Sequence, residues 1–134
     1  GGYALLLRGD GGTGTFNGII FRSTYLPGQG NGLDLAPPVN MSSTFTDYNY
    51  HSVSITYDSS RLVSMYIDGQ FINSKTLGTG QSHFNSKNFY LGVYSNALNL
   101  DFPGNIGPLQ IYNRTLSANE VLHNHNALKG RFGL

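Results

Sequence analysis

The sequence has no cysteine and no tryptophan, and only 11% of its 134 residues are charged. The absence of cysteine excludes disulfide bonds, thiol catalysis and zinc sites built on thiolates. The net charge of +1 gives no electrostatic basis for binding nucleic acid or an anionic membrane. No apolar run is long enough to cross a bilayer, so we expect no membrane insertion.

Acidic residues are also scarce, which bears on hydrolytic chemistry. The chain has a single glutamate, Glu120, and its aspartates are isolated, with no Asp-x-Asp pair: Asp10, Asp34, Asp47, Asp58, Asp68 and Asp101. Glycosidic hydrolysis requires two carboxylates that face each other across the scissile bond. The Gly-x-Ser-x-Gly turn of serine hydrolases is missing as well. We therefore predict that the protein is not an enzyme.

Glycine and tyrosine are abundant, with 18 and nine residues, a composition typical of turn-rich β proteins. The clearest pattern lies in residues 50–72. Apolar residues alternate with polar ones through 53–57 and again through 63–67, which places one face of each strand on a core. Asp68-Gly69 is a two-residue turn sequence that requires positive φ at both positions. The residues after it, 70–72, are therefore predicted to fold straight back as a third antiparallel strand.

Shorter apolar runs predict further strands, at 3–7, within 16–26, and at 33–35, 41–47, 76–77, 89–93 and 105–112. About ten short strands with turns between them imply an all-β, antiparallel two-sheet sandwich of jelly-roll type. One short helix is predicted at about 117–129, because Ser117 and Glu120 form a capping box and Gly130 suits a left-handed helix end. We treat residues 1–134 as a single domain.

Three segments resemble a known family. The central HSVSITYDSS and VSMYIDGQFI stretches resemble the meander of laminin-G-like domains in the concanavalin A-like lectin/glucanase superfamily. The segment FPGNIGPLQIYNRTL, residues 102–116, resembles the closing strand of these domains. The last residues, NALKGRFGL, resemble the ending of such domains in tailed-phage virion proteins. The resemblance implies a lectin-like sandwich, and the Glu-x-Asp-x-x-Glu strand of the superfamily's hydrolases is absent from this chain.

The resemblance also implies a metal, since many laminin-G-like domains hold calcium at the sandwich edge. Calcium takes isolated carboxylates, amide oxygens and backbone carbonyls from loops. Asp101, with Asn99, Asn96 or the glycine-rich loop near Asp10, is the expected ligand set. Gly107-Pro108 stands where relatives often have an acidic pair before the last strand, which weakens this expectation.

Glycan binding is the other activity that the resemblance implies. Sugars are held by aromatic faces together with planar polar groups. The candidate residues lie in two loops and at strand positions that face outward by alternation: Tyr48, Asn49, Tyr50, Tyr66, Tyr90, Tyr94, Asn96 and Asn99. The alternative is that these aromatic residues only cover a sheet or a subunit interface.

Our prediction is a non-enzymatic module on the virion surface of a tailed phage, of capsid-decoration or tail-fibre type, that binds host-surface glycan. A second hypothesis is a purely structural assembly protein that binds no sugar and contacts other virion proteins or itself. A third is a carbohydrate-binding or adhesion domain of a larger secreted, extracellular protein. Sugar binding separates the first hypothesis from the second.

Overall fold

A computed structural model describes residues 2–8, 18–24, 33–35, 47–77, 91–92, 102 and 104–133. Six strands and one helix lie in these ranges. The elements are β1 (Gly2–Arg8), β2 (Gly18–Thr24), β3 (Leu33–Leu35), β4 (Val53–Tyr57), β5 (Leu62–Ile67), β6 (Gln70–Thr76) and α1 (Ala118–Phe132).

The strands form two antiparallel three-stranded sheets, β1-β2-β3 and β4-β5-β6. In the first sheet, Leu5, Phe21 and Leu35 lie side by side across the three strands. Leu35 and Phe21 are buried, whereas Leu5 on the edge strand is about half exposed. The first sheet therefore contributes Phe21 of β2 and Leu35 of β3 to the core.

The core joins residues of both sheets in one cluster. Met65 is fully buried, and its neighbours Val63 and Ile67 on β5 share its face, as the alternation predicted. Phe21 and Leu35 of the first sheet belong to the same cluster. Burial of one such side chain contributes roughly 1.5–3 kcal/mol.

The tight turn at Asp68-Gly69 confirms the hairpin prediction. Asp68 has a φ of 51° and Gly69 a φ of 76°, and the Asp68 N–H donates to the Ser52 carbonyl at 2.9 Å. The strand after this turn is longer than predicted, because it continues to Thr76 instead of ending at Ile72. Its last residues pair with the start of β5, and the Leu77 N–H donates to the Arg61 carbonyl at 2.9 Å. A register shift between Met65 and Tyr66 accommodates the extra length.

The helix starts where the capping box predicts, with Ser117 accepting from the Glu120 N–H and the Glu120 carboxylate accepting from the Ser117 N–H. Its predicted end at Gly130 is wrong. α1 continues to Phe132, and Gly133 adopts the left-handed conformation, with a φ of 71°. The extra turn brings the Phe132 ring to 5.3 Å from the Tyr50 ring, and this contact stabilises helix beyond the glycine.

Of the predicted strand at 89–93, the structure describes only residues 91 and 92. The predicted strand at 105–112 is wrong, because these residues pair with no described strand and Ile111 is 77% exposed. Pro108 cannot donate to a ladder, which accounts for the interruption in this segment. Leu91, predicted to face the core, is 54% exposed, and Gly92 beside it has a φ of 77°, which is incompatible with a regular strand.

Candidate functional site

The loop that leads into β4 is ordered by one carboxylate. Asp47 accepts hydrogen bonds from the Asn49 backbone N–H at 2.9 Å and from the Asn49 side-chain amide at 2.8 Å. It also contacts the His51 Nε2 at 3.1 Å. These bonds lower the pKa of Asp47 to about 2, with the Asn49 backbone N–H as the largest cause. The carboxylate is therefore ionised throughout the physiological pH range.

The His51 imidazole joins this loop to the hairpin turn. Its Nδ1 lies 2.8 Å from the Asp68 Oδ2, and its Nε2 faces Asp47. Burial alone would lower the pKa of His51, but the hydrogen bonds to Asp68 and Asp47 outweigh it, so the pKa lies above its ordinary value of 6.5. The other Asp68 oxygen accepts the Ser52 N–H at 2.9 Å. Both Asp68 oxygens thus hold the start of β4 against the turn.

Tyr48 lies between Asp47 and Asn49, two loop residues that this network joins. Its backbone φ is 65°, a left-handed conformation that costs a non-glycine residue roughly 1–2 kcal/mol. The Tyr48 side chain is fully exposed to solvent. Tyr50, two residues on, is partly exposed and packs at a tilt against Phe132 of α1. The loop therefore exposes two aromatic side chains, Tyr48 fully and Tyr50 in part.

Helix α1 is attached to the same region from the other side. The Ser52 hydroxyl lies 2.8 Å from the His125 Nδ1. Gly69 in the hairpin turn is buried directly against Leu122 and His125 of the helix. The start of β4, the turn and the helix therefore support one another around the aromatic loop.

A shallow pocket of about 300 Å³ lies on the outward side of α1. It is lined by Tyr112, Arg114, Leu116, Asn119, Glu120, His123 and Asn124. The Asn124 amide donates to the Tyr112 hydroxyl at 3.0 Å, and Arg114 makes two contacts with the Glu120 carboxylate, at 3.0 and 2.6 Å. No sequence motif marks this pocket. The helical spacing of residues 119, 120, 123 and 124 could have indicated a shared face of α1, but nothing in the sequence brings Tyr112 over it.

Three of the predicted sugar-binding residues, Tyr48, Asn49 and Tyr50, are consecutive residues of the exposed loop before β4. The prediction for a fourth, Tyr66, is wrong, because this residue is buried, with only 7% of its surface exposed. The Tyr66 ring packs edge-on against Phe71 at 5.8 Å, so its face is not available to a ligand. Strand β5 is covered on both faces, which alternation alone cannot reveal. The other candidates, Tyr90, Tyr94, Asn96 and Asn99, lie outside the described residues.

The expected calcium ligands, Asp101 and Asp10, also lie outside the described residues. Within the described ranges no three His, Asp or Glu side chains converge on a point where a metal ion could bind. His51 with its two aspartates does not form such a centre, because its two ring nitrogens point away from each other and each contacts one carboxylate.

The single glutamate, Glu120, has a structural role at the start of α1. Glu120 accepts from Arg114 and from the Ser117 N–H, and these bonds, with the Arg114 contact as the largest cause, lower its pKa to about 2. A general acid in glycosidic hydrolysis needs a raised pKa. Glu120 has the opposite shift, so it does not have the properties of a catalytic acid.

A family model described as the concanavalin A-like lectin/glucanases superfamily matches residues 1–122. The chain belongs to this superfamily. The superfamily implies a β-sandwich, and the described strands form two antiparallel three-stranded sheets. Helix α1 of this concanavalin A-like chain begins within the matched residues, continues beyond them to Phe132 and packs on the hairpin turn.

No curated protein matches the sequence. Among solved structures, the chain is similar to the 2.1 Å crystal structure of residues 221–444 of an S-layer domain-containing protein from Clostridium thermocellum. The two share 20% identity over 80% of this chain, with a TM-score of 0.43, and the chain spans 51% of the crystallised fragment. Within the described part of this concanavalin A-like chain, no helix has both the length and the apolar character needed to cross a membrane.

Proposed function

We propose that the protein is a non-enzymatic saccharide-binding module and that Tyr48 and Tyr50 form its binding platform. One observation carries the proposal: Tyr48 is fully exposed on a strained backbone that a defined hydrogen-bond network maintains. Strained backbone is retained where the surrounding structure enforces it, and such positions cluster at functional sites. An exposed phenol ring supplies the flat apolar face on which a sugar ring stacks.

The fold supports this role. In the proposed arrangement the two three-stranded sheets are parts of a jelly-roll sandwich of laminin-G type, and the aromatic loop directly precedes β4, an edge strand of the second described sheet. Ligand sites in such domains are placed on loops that a rigid scaffold holds in position. We infer that the Asp47–His51–Asp68 network holds the Tyr48 loop in position, because it connects this loop to the hairpin turn.

The proposed location is a virion surface, on the resemblance of residues 126–134 to the ends of tailed-phage virion domains, with an extracellular adhesion domain as the alternative. A structural assembly role is the second candidate function. It is favoured by the exposed apolar side chains of residues 106–112, among them Leu109 and Ile111, because exposed apolar patches are typical of protein contact sites.

The test is a glycan array on the purified chain, run with calcium and with EDTA, together with the variants Tyr48→Ala and Tyr112→Ala. We expect hits that Tyr48→Ala abolishes and that Tyr112→Ala, in the pocket on the outward side of α1, leaves intact. Hits that disappear in EDTA would support the proposed calcium site at Asp101 and Asp10.

Two results would contradict the proposal. An array without hits in either buffer would leave the assembly role, which size measurements in solution would then test. Hits that respond to Tyr112→Ala and not to Tyr48→Ala would move the saccharide site from the aromatic loop to the helix pocket.

A further inference from the structure

The contacts of His51 define its protonation state. Each ring nitrogen lies within hydrogen-bond distance of a carboxylate oxygen, with Nδ1 at 2.8 Å from Asp68 and Nε2 at 3.1 Å from Asp47. An ionised carboxylate only accepts hydrogen bonds, and a neutral imidazole carries a single N–H. Both contacts can be hydrogen bonds only when the ring is an imidazolium with two N–H groups.

We propose that His51 is a positioning residue that holds the Tyr48 loop in its exposed conformation only while the imidazole is doubly protonated. The loop is then held to the hairpin turn through His51 at acidic to neutral pH, and this connection is lost as the pH rises. The role of this step in ligand binding rests on the proposed function, whereas the release of the loop does not.

The contact that is lost when His51 loses a proton is the one between Nε2 and Asp47. Asp68 is held in the hairpin turn, and its second oxygen accepts the Ser52 N–H, so a neutral ring retains its proton on Nδ1 and keeps this shorter contact. The Nε2 lone pair then faces an ionised Asp47 oxygen, and the contact becomes repulsive. The remaining bonds of Asp47 run to Asn49, two residues away, and do not connect the loop to the sheet.

Asp68 and Asp47 both act on the pKa of His51, and both favour the protonated imidazole. His125 of α1 faces the Ser52 hydroxyl. Burial opposes protonation, but the two carboxylates outweigh it and raise the pKa of His51, which places the release on the alkaline side of the ordinary histidine range.

The test needs no ligand. In a protein labelled with ¹⁵N in its histidines, nitrogen spectra should show both His51 nitrogens protonated at about pH 6 and Nε2 without its proton at about pH 9. The backbone amides of Tyr48 and Asn49 should shift with the same midpoint. A neutral His51 at about pH 6, or loop amides that do not follow its titration, would overturn the inference.

A matched pair of variants separates this role from a merely structural one. In Asp47→Asn the side-chain amide can accept from the charged ring or donate to the neutral one, so the loop amides should no longer respond to His51. Asp58→Asn is the control, because Asp58 lies at the opposite end of β4 from His51 and accepts from the Ser60 and Leu62 N–H groups without a histidine. It should preserve the wild-type loop titration; if it removes the titration as Asp47→Asn does, the inference fails.

Binding provides the second readout. For a saccharide found on the array, we expect affinity to fall several-fold between about pH 6 and about pH 9 in the wild type and to stay flat in Asp47→Asn. If no saccharide binds at any pH, the proposed function fails while the nitrogen titration still decides the inference. If a saccharide binds with an affinity that is independent of pH in the wild type, the inference fails and the proposed function stands.

Discussion

Gly69 in the hairpin turn lies directly beneath Leu122 of α1. A Cβ atom at position 69 would stand 2.9 Å from the Leu122 Cδ1 and 3.2 Å from the His125 Cβ. The glycine therefore permits two features at once, the positive φ of the turn and the close approach of the helix.

The first prediction follows from this contact. Gly69→Ala should lower the free energy of unfolding by about 1–3 kcal/mol, because alanine is strained at this φ and its methyl group crowds the Leu122 side chain and the His125 Cβ. Denaturant unfolding monitored by circular dichroism measures the change. Gly130→Ala is the control, since a Cβ at position 130 meets nothing within 4 Å. It should be neutral or stabilise the protein by up to about 1 kcal/mol, because alanine is the better helix former.

The second prediction concerns the start of α1. Ser117→Ala removes the side chain that accepts the Glu120 N–H, and loss of such a cap lowers the free energy of unfolding by about 0.5–2 kcal/mol. In hydrogen exchange, the backbone amides of the first helical turn should lose protection before the rest of the helix. Ser59→Ala, an exposed turn substitution, should leave both measurements unchanged.

The third prediction concerns the pH dependence of the Arg114–Glu120 pair. The pKa of Glu120 is lowered in the folded state from 4.5 to about 2, so its contribution is present above the unfolded pKa and is lost as the pH falls through about 2. Glu120→Gln should therefore be less stable than the wild type at neutral pH, with the difference disappearing toward about pH 2. Thermal unfolding across this range measures it. A difference that is constant with pH would contradict the assignment, and Lys75→Gln, on the exposed side of β6, should show no such trend.

The fourth prediction tests the core. Met65 is fully buried between the two sheets, and Met65→Ala should reduce the free energy of unfolding by about 2–5 kcal/mol through the cavity it leaves. Met65→Leu conserves most of the volume and should cost less than about 1.5 kcal/mol. Equal losses in the two variants would show that Met65 is not packed in a continuous core.

The strands that the sequence predicts well are those whose contacts are local. The alternation through β4 and β5 and the Asp68-Gly69 turn specify a hairpin whose partners are a few residues apart, and the structure has it at those positions. Tyr66 shows the limit of this reasoning. Alternation assigns it to the face opposite the core but does not say what covers that face.

The features that the sequence does not reveal depend on contacts between distant parts of the chain. The end of α1 passes Gly130 because Phe132 meets Tyr50, and no helix-end rule includes that partner. The network around His51 is of the same kind, since Asp47, His51 and Asp68 share no motif spacing and converge only through the turn. Tyr48 was predicted as an aromatic loop residue, but the network that joins its neighbours was not.

The contact between Gly69 and Leu122 also bears on how fast the protein folds and unfolds. Strands β4 to β6 close short loops, and hairpins of this kind form within microseconds. Helix α1 reaches the turn from far along the chain, so we expect it to dock late, after the main barrier to folding. Substitutions at this contact should then accelerate unfolding and leave the folding rate nearly unchanged. We therefore expect the formation of strands β4 to β6 to govern the folding rate and the docking of α1 to govern the unfolding rate.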